Sequence, residues 1–327
     1  IELDSYDVWG EDFRSDYVTG LDMRAASVDD VEMYQAYIEA KEMWGTPLSL
    51  RVGRQEISLG SEWLVGVNDA AAVFQGLSFD ALRLDYTTDV VSITALASKL
   101  AESFSDFGND DTDLYAVYGS YLGLEDIVLD AYWMYVRDEL PAYATAGVPF
   151  LATALDDDLH TVGLRGAGAI GAFDFEAEAA YQFGSIELPE MWPLDDEIDH
   201  DAFGGHLEMG YTFDMAWAPR PYLGIAYLEG ADAEGDHVPF NRLFSNWEYS
   251  EFLENTAMSN VIVYRAGLGV APTECLALAL CAAYFTVDET DTMTWWFQDR
   301  DDEMGLELGL YADYQYSEDI VFRVGWA

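Results

Sequence analysis

The sequence predicts an all-β protein, a transmembrane antiparallel β-barrel. Three observations lead to this prediction. Apolar and polar residues alternate with a period of two in about fourteen segments, the connections between these segments are short and long in turn, and the acidic residues collect in the long connections. Hairpins with short turns at one end and long loops at the other are the layout of outer-membrane barrels.

Each predicted strand shows the alternation in its own residues. In residues 304–316, for example, Leu306 and Leu308 alternate with Glu307 and Gly309. Successive side chains of a strand point to opposite faces, so each segment has one apolar face and one polar or small face. In chain order the predicted strands are 31–43, 47–58, 79–87, 90–99, 113–123, 126–137, 159–169, 172–184, 203–214, 220–229, 258–270, 275–287, 304–316 and 319–327. Of these, 90–99 and 126–137 lack a clear polar face.

The connections divide into two classes, which we interpret as short periplasmic turns and long acidic outer loops. The short ones are 44–46, 88–89, 124–125, 170–171, 215–219, 271–274 and 317–318. The long ones are 59–78, 100–112, 138–158, 185–202, 230–257 and 288–303. Residues 143–155 form an apolar insert in a long loop, and two hypotheses stay open for it: a constriction folded into the lumen, or a contact with a partner.

A soluble β-sandwich or a soluble closed barrel is the alternative fold. It would bury the apolar face, yet that face carries Tyr, Trp and Phe near the strand ends, where a membrane barrel has its aromatic girdles. Strands of about ten residues suit a tilted bilayer crossing. No run of 18 apolar residues occurs, so no transmembrane helix is predicted. These features favour the membrane barrel.

The composition excludes several classes of function. Asp and Glu number 62 against 14 Lys and Arg, which gives a net charge of −48, while 15% of the residues are aromatic. Acidic disordered chains lack aromatic residues, so this chain should fold. A nucleic-acid partner is excluded because phosphate binding needs clusters of basic residues. No CxxC, CxxCH, HExxH or GxSxG motif occurs, so we predict no cofactor, no metal site and no catalytic residues, and we expect that the protein is not an enzyme.

The scarce arginines follow the strand parity. In residues 48–55, Leu48, Leu50 and Val52 share one face, which places Arg51 on the other. An Arg on the lipid face near the midplane of the bilayer would cost about 2–4 kcal/mol, so we predict that such arginines line the pore. The six predicted pore-lining arginines are Arg51, Arg83, Arg165, Arg220, Arg265 and Arg323. Arg54 breaks the parity, which suggests a bulge or a position near the membrane edge.

Acidic residues share this inner face. The predicted pore-lining acids are Asp85, Asp174, Glu176, Glu178, Glu208, Glu307 and Asp313, and Glu39 and Asp130 have the same parity. An interior that carries both signs of charge needs water or mutual pairing. Two interpretations stay open for each residue: a hydrated pore with a charged constriction, or a network that braces the wall or holds an inward loop.

Several segments resemble the alginate export family of outer-membrane barrels. They are QAYIEA, PLSLRVGRQEISLG and LSFDALRLDY in residues 35–86, with IELDSYDVWGED at the start and GLELGLYADYQYSEDIVFRVGWA at the end. The resemblance implies a monomeric barrel of 18 strands, in a family that ranges from polyanion exporters to porins. We therefore expect residues 1–327 to be one barrel domain that supplies about 14–15 of these strands and is incomplete at both ends.

The predicted function is that of an outer-membrane porin, a water-filled channel for small solutes or ions. Inward acids are at least as numerous as inward arginines, which favours a weak preference for cations over export of a polyanion. The expected partners are outer-membrane lipid and lipopolysaccharide, the solutes or ions themselves, and a protein at the outer loops. The alternatives are a sheath or anchor barrel that houses a partner protein, and a polysaccharide exporter.

Overall fold

A computed structural model describes residues 1–4, 32–67, 77–101, 111–139, 156–187, 197–231, 237–250, 258–290, 302–318 and 320–327. These residues form one sheet, and a single 3-10 turn lies at Met43–Gly45. The strands are β1 (Glu2–Asp4), β2 (Glu32–Ala40), β3 (Leu48–Gln55), β4 (Phe79–Thr87), β5 (Val91–Ala101), β6 (Thr112–Leu124), β7 (Ile127–Asp138), β8 (Asp157–Ile170), β9 (Phe173–Glu187), β10 (Glu197–Tyr211), β11 (Arg220–Leu228), β12 (His237–Val238), β13 (Val261–Thr273), β14 (Leu276–Val287), β15 (Glu303–Gln315) and β16 (Val321–Trp326).

Fifteen strands pair antiparallel in chain order, and β12 lies off this path, parallel to β10. In the described part of the chain β1 and β16 have one neighbour each, so the sheet is open. The all-β antiparallel architecture is confirmed, and the closure at 18 strands stays a prediction. No helix among the described residues has the length and apolarity needed to cross a membrane.

All fourteen predicted segments contain a strand, and the largest difference in bounds is at β10. This strand begins at Glu197 rather than at residue 203, because it continues to pair with β9 as far as Glu187. Its acidic start looks like a loop in the sequence. Strand pairing tolerates such residues where their carboxylates are bonded, as Asp201 is by the Tyr181 hydroxyl at 2.7 Å.

The sheet curves around two chain segments, residues 57–67 and 237–250, which we call the plug. The Phe244 ring packs on Phe79 of β4 with ring centroids 5.4 Å apart, and the Ser250 hydroxyl donates to Glu307 of β15 at 2.7 Å. Strands near the two ends of the sheet therefore contact the same plug. We call the plug-contacting face of the sheet the inner face and the opposite one the outer face.

The outer face is apolar and exposed. Leu164, Leu223 and Val324 on it are 68%, 65% and 69% exposed. A ladder of stacked rings crosses β6 to β9 near their ends at the long loops, with centroid distances of 6.0, 4.3 and 5.1 Å along Tyr115, Tyr135, His160 and Phe183. An apolar band with aromatic residues near the strand ends is the lipid-facing surface of a membrane barrel.

Candidate functional site

The structure places all six predicted arginines on the inner face, and each is ion-paired with an acid there. Side chains on one face are within reach of each other either across nearby strands or, for Arg83 and Asp85, two residues apart on the same strand. The pairs are Arg51–Glu39 at 2.9 Å, Arg83–Asp85 at 2.9 Å, Arg165–Asp130 at 2.7 Å, Arg220–Glu208 at 3.3 Å, Arg265–Glu208 at 3.8 Å and Arg323–Asp313 at 2.7 Å. The inner face thus carries ion pairs of arginines with carboxylates rather than charges of one sign.

The most buried of these groups surround Arg165 on β8. Its guanidinium lies 2.7 Å from Asp130, 2.8 Å from Glu176 and 3.8 Å from Glu178. The side chains of Asp130 and Glu178 are only 1% and 5% exposed. A buried carboxylate is tolerated only where it is paired and hydrogen-bonded, and we name these four residues the Arg165 cluster.

Two tyrosines add hydrogen bonds to the carboxylates of the Arg165 cluster. The Tyr118 hydroxyl donates to Asp130 at 2.9 Å, and the Tyr132 hydroxyl donates to Glu178 at 2.9 Å. Tyr132 is on β7 and Glu178 on β9, so the phenol must cross β8. The phenol crosses β8 over Gly163, the residue of β8 that is paired with Tyr132. Gly163 has no side chain to obstruct the ring.

Gly163→Ala is therefore expected to destabilise the fold. A Cβ at this position would lie less than 3.0 Å from three atoms of the Tyr132 ring. The ring would have to move away from Glu178, and overpacking of this kind costs about 1–3 kcal/mol. Urea unfolding in detergent measures the change.

Gly269→Ala is the matched control for this substitution. Gly269 is also an inner-face glycine, but its added Cβ would meet nothing closer than 4.0 Å. Equal losses of stability for the two variants would contradict the crossing of Tyr132 over Gly163.

Arg220 on β11 uses a second glycine in the same way. It bonds Asp174 on β9, with Nε 3.0 Å from one carboxylate oxygen, and also reaches Glu208 on β10. An added Cβ on Gly210 of β10 would lie 2.5 Å from the guanidinium. The absence of a side chain there lets one arginine join three strands.

The plug is folded by its own hydrogen bonds. Backbone bonds join its two segments, from Gly66 N–H to the Phe244 carbonyl at 2.9 Å and from Phe244 N–H to the Leu64 carbonyl at 2.8 Å. The Trp247 indole donates to the Ser61 carbonyl at 2.7 Å. Since the two segments lie about 180 residues apart in the chain, this small parallel pairing is a tertiary contact that no local sequence pattern predicts.

Buried side chains fill the space between the plug and the wall. Trp63 is fully buried, stacks on Phe240 at 5.6 Å and donates its indole N–H to the Tyr249 hydroxyl at 3.0 Å. The Arg242 guanidinium lies 4.9 Å from the Tyr249 ring centroid and donates to Ser245 at 2.6 Å. Burial raises the pKa of the Tyr249 phenol.

Side-chain hydrogen bonds of three residue pairs are among the contacts that fasten the plug to the wall. Ser61 donates to Glu178 at 3.1 Å, and Ser250 donates to Glu307 at 2.7 Å. Gln182 on β9 donates to the Asn241 carbonyl at 2.6 Å and accepts the Asn241 N–H at 2.7 Å. Predicted inner-face acids therefore hold an inward loop, which is one of the two roles considered for them.

A cavity of about 300 Å³ lies beside the plug, between it and strands β11, β13, β14, β15 and β16. Four of the predicted inner-face residues line it, together with aromatic rings from the wall and the plug. These four are Arg265, Glu307, Asp313 and Arg323. The cavity thus offers charges of both signs to a small solute.

The sequence-predicted residues fall into separate groups on the inner face. Arg165, Glu176 and Glu178 meet in one cluster, and Asp174, Glu208, Arg220 and Arg265 form the next along the wall. Arg51 pairs with Glu39 on β2 and β3, the Arg83–Asp85 pair lies on β4, and Arg323 pairs with Asp313 at the other end of the sheet.

Arg54 makes a bidentate pair with Asp80 at the long-loop end of β3 and β4, with its side chain 43% exposed. This position agrees with the interpretation that Arg54 lies near the membrane edge.

Several residues of the site were missed from the sequence. The plug residues Trp63, Phe240 and Trp247 were assigned to outer loops, whereas the apolar insert at 143–155 lies outside the described residues. An apolar run within a long loop, Trp63-Leu64-Val65, is the signal that could have identified the plug. His206 was also missed; with Glu176 and Glu178 it forms a group whose ligand atoms could hold a metal ion.

The comparisons with known proteins agree with this architecture. The family model described as alginate export matches residues 7–296. The crystal structure of Pseudomonas aeruginosa OccD3 (OpdP) is similar with a TM-score of 0.57 and 12% identity, over 90% of this chain and 72% of that one. The outer-membrane protein OprD from the same organism is similar with a TM-score of 0.53 and 13% identity, over 85% and 69% of the two chains. No curated protein matches the sequence.

Proposed function

This chain belongs to the alginate export family and is an outer-membrane protein, and on that premise we propose that it is a porin through which small solutes or ions diffuse past the plug. The observation that supports this most directly is the cavity beside the plug, which is lined by charges of both signs. We propose no enzymatic activity for it.

The proposed channel has a weak preference for cations. The sequence-predicted set of inner-face residues contains nine carboxylates, the seven predicted pore-lining ones with Glu39 and Asp130, and six arginines. An excess of one sign in a low-dielectric channel raises the local concentration of the opposite ion. A protein partner at the outer loops belongs to the same proposal.

Single-channel recording in a planar bilayer tests the proposal. We expect a stable conductance and, in a KCl gradient, a reversal potential on the cation-selective side. The preference should shrink as salt rises, because charges are screened over about 8 Å at 0.15 M. Selectivity for anions would overturn the cation preference and support polysaccharide export instead.

Substitutions of two cavity-lining residues are expected to change the cation preference in opposite directions. Glu307→Gln should reduce the cation preference, and Arg265→Gln should increase it, because each removes one charge from the cavity wall. Both substitutions conserve polarity and approximate size. Shifts of the same sign would mean that the current does not pass this cavity.

A sheath or anchor barrel is the second candidate function. The observation that favours it is the plug itself, whose Trp63 and Phe240 fill the space enclosed by the wall with buried side chains. A purified protein that inserts into bilayers but gives no conductance would support this candidate over the porin.

A further inference from the structure

We infer that Glu176, Glu178 and His206 form a binding site for a divalent transition-metal cation, Zn²⁺ being the best match. The site lies on the inner face of β9 and β10, under the plug. It is independent of the channel proposal, and it differs from the sequence analysis, which predicted no metal site.

The first observation is that the His206 ring is buried without hydrogen bonds. His206 is 7% exposed, and neither ring nitrogen has a hydrogen-bond partner among the described residues or contact with solvent. Nearly all buried polar atoms are hydrogen-bonded, and a bound ion is one of the reasons for an exception. An imidazole nitrogen is a preferred ligand of transition metals.

The second observation is the position of the two carboxylates. The ladder places His206 directly opposite Glu178, and Glu176 is two residues further along the same face of β9. One ligand atom from each residue lies within 4.8 Å of the other two. Atoms bound to one tetrahedral Zn²⁺ at about 2.0–2.2 Å lie about 3.5 Å apart, so side-chain rotations that shorten the longest separation by about 1 Å would bring all three to a common ion.

The charge of the surroundings also suits a divalent cation. The Arg165 cluster holds three carboxylates and one guanidinium, which leaves a formal charge of −2. Arg265, the next arginine along the wall, is paired with Glu208. Arg242 of the plug is a third guanidinium near His206, so a bound divalent cation would offset the excess of the cluster's carboxylates without displacing Arg165.

The ligands are held by further contacts, as metal ligands usually are. Tyr132 and Ser61 each donate to one oxygen of Glu178, and Arg165 donates to one oxygen of Glu176. The His206 ring lies between two plug indoles, with centroids 5.2 Å from Trp63 and 4.1 Å from Trp247. A mixed set of one imidazole and two carboxylates selects Zn²⁺ and similar ions over Mg²⁺ and Ca²⁺, which prefer oxygen ligands alone.

Calorimetric titration of the tag-free, detergent-solubilised protein with ZnCl₂ tests the inference. High salt and excess Mg²⁺ are included to suppress binding to the exposed acidic loops. We expect one Zn²⁺ per chain, with affinity reduced at least about tenfold in His206→Gln and in Glu176→Gln. The control is His237→Gln, which changes a histidine on β12 and should leave the affinity unchanged.

Spectroscopy gives a second readout that does not depend on affinity. With Co²⁺ as the probe, the visible absorption of the complex should lose intensity or shift in His206→Gln, while circular dichroism shows that the variant is folded. Absence of a saturable Zn²⁺ site, or equal affinity in the wild type and in both ligand variants, would overturn the inference.

Discussion

Replacing Arg165 by methionine is expected to reduce the free energy of unfolding by about 3–5 kcal/mol. The change removes the cation that Asp130 and Glu178 share, and both of these carboxylates are almost fully buried. Breaking a buried pair from one side leaves an uncompensated charge in a medium that cannot solvate it. Guanidinium unfolding of the protein refolded in detergent gives the value.

The same substitution at Arg323 is the control. Arg323 is also an inner-face arginine paired with an aspartate, but its side chain is 73% exposed, and a solvated pair contributes about 0–1 kcal/mol. Adding Asp130→Asn to the Arg165 variant should recover part of the loss. Equal effects at the two arginines would mean that water reaches the Arg165 cluster as freely as the end of the sheet.

Replacing Trp63 by alanine is expected to raise the single-channel conductance several-fold. Trp63 is fully buried, and it joins the first plug segment to Phe240 and Tyr249 of the second and to His206 on β10. Removing such an indole costs about 3–5 kcal/mol of packing. We expect the loss to loosen the plug rather than the wall, because the hydrogen bonds of the strand ladders do not involve this side chain.

Trp133→Ala is the matched control for conductance. Trp133 is on the outer face of β7 and is 36% exposed, so its removal should leave the lumen unchanged. An unchanged conductance in the Trp63 variant, with normal insertion, would show that ions do not pass at the level of the plug. If the wild type conducts nothing, a current in this variant alone would identify the plug as the barrier.

The wall could be predicted because its pattern is local. A period of two determines which side chains share a face, and the penalty for arginine in lipid determines which face is the inner one. The inner-face positions of Arg51 and Arg265 follow from these two facts. The partners of each arginine could not be predicted, since they depend on strand register. Asp174 and Arg220, for instance, meet only because Gly210 lies between them.

The contents of the lumen could not be predicted because they depend on contacts between distant segments. The sequence of residues 57–67 does not show that their partner is 237–250. His206 shows the same difficulty: its parity placed it on the polar face, but only the position of Trp63 and Trp247 makes it buried. A polar residue on a wetted wall and one under a plug have the same sequence signature.

The fastening of the plug has a geometric consequence for the wall. Ser61 bonds Glu178 on β9, Ser250 bonds Glu307 on β15, and Trp247 ties the two serine segments together. Five strand spacings separate β9 from β15, an arc of about 24 Å at roughly 4.8 Å each. The plug is a chord across this arc, and a chord of fixed length sets the radius of curvature. Widening this part of the wall would therefore stretch two serine hydroxyl bonds before it disturbed any backbone ladder.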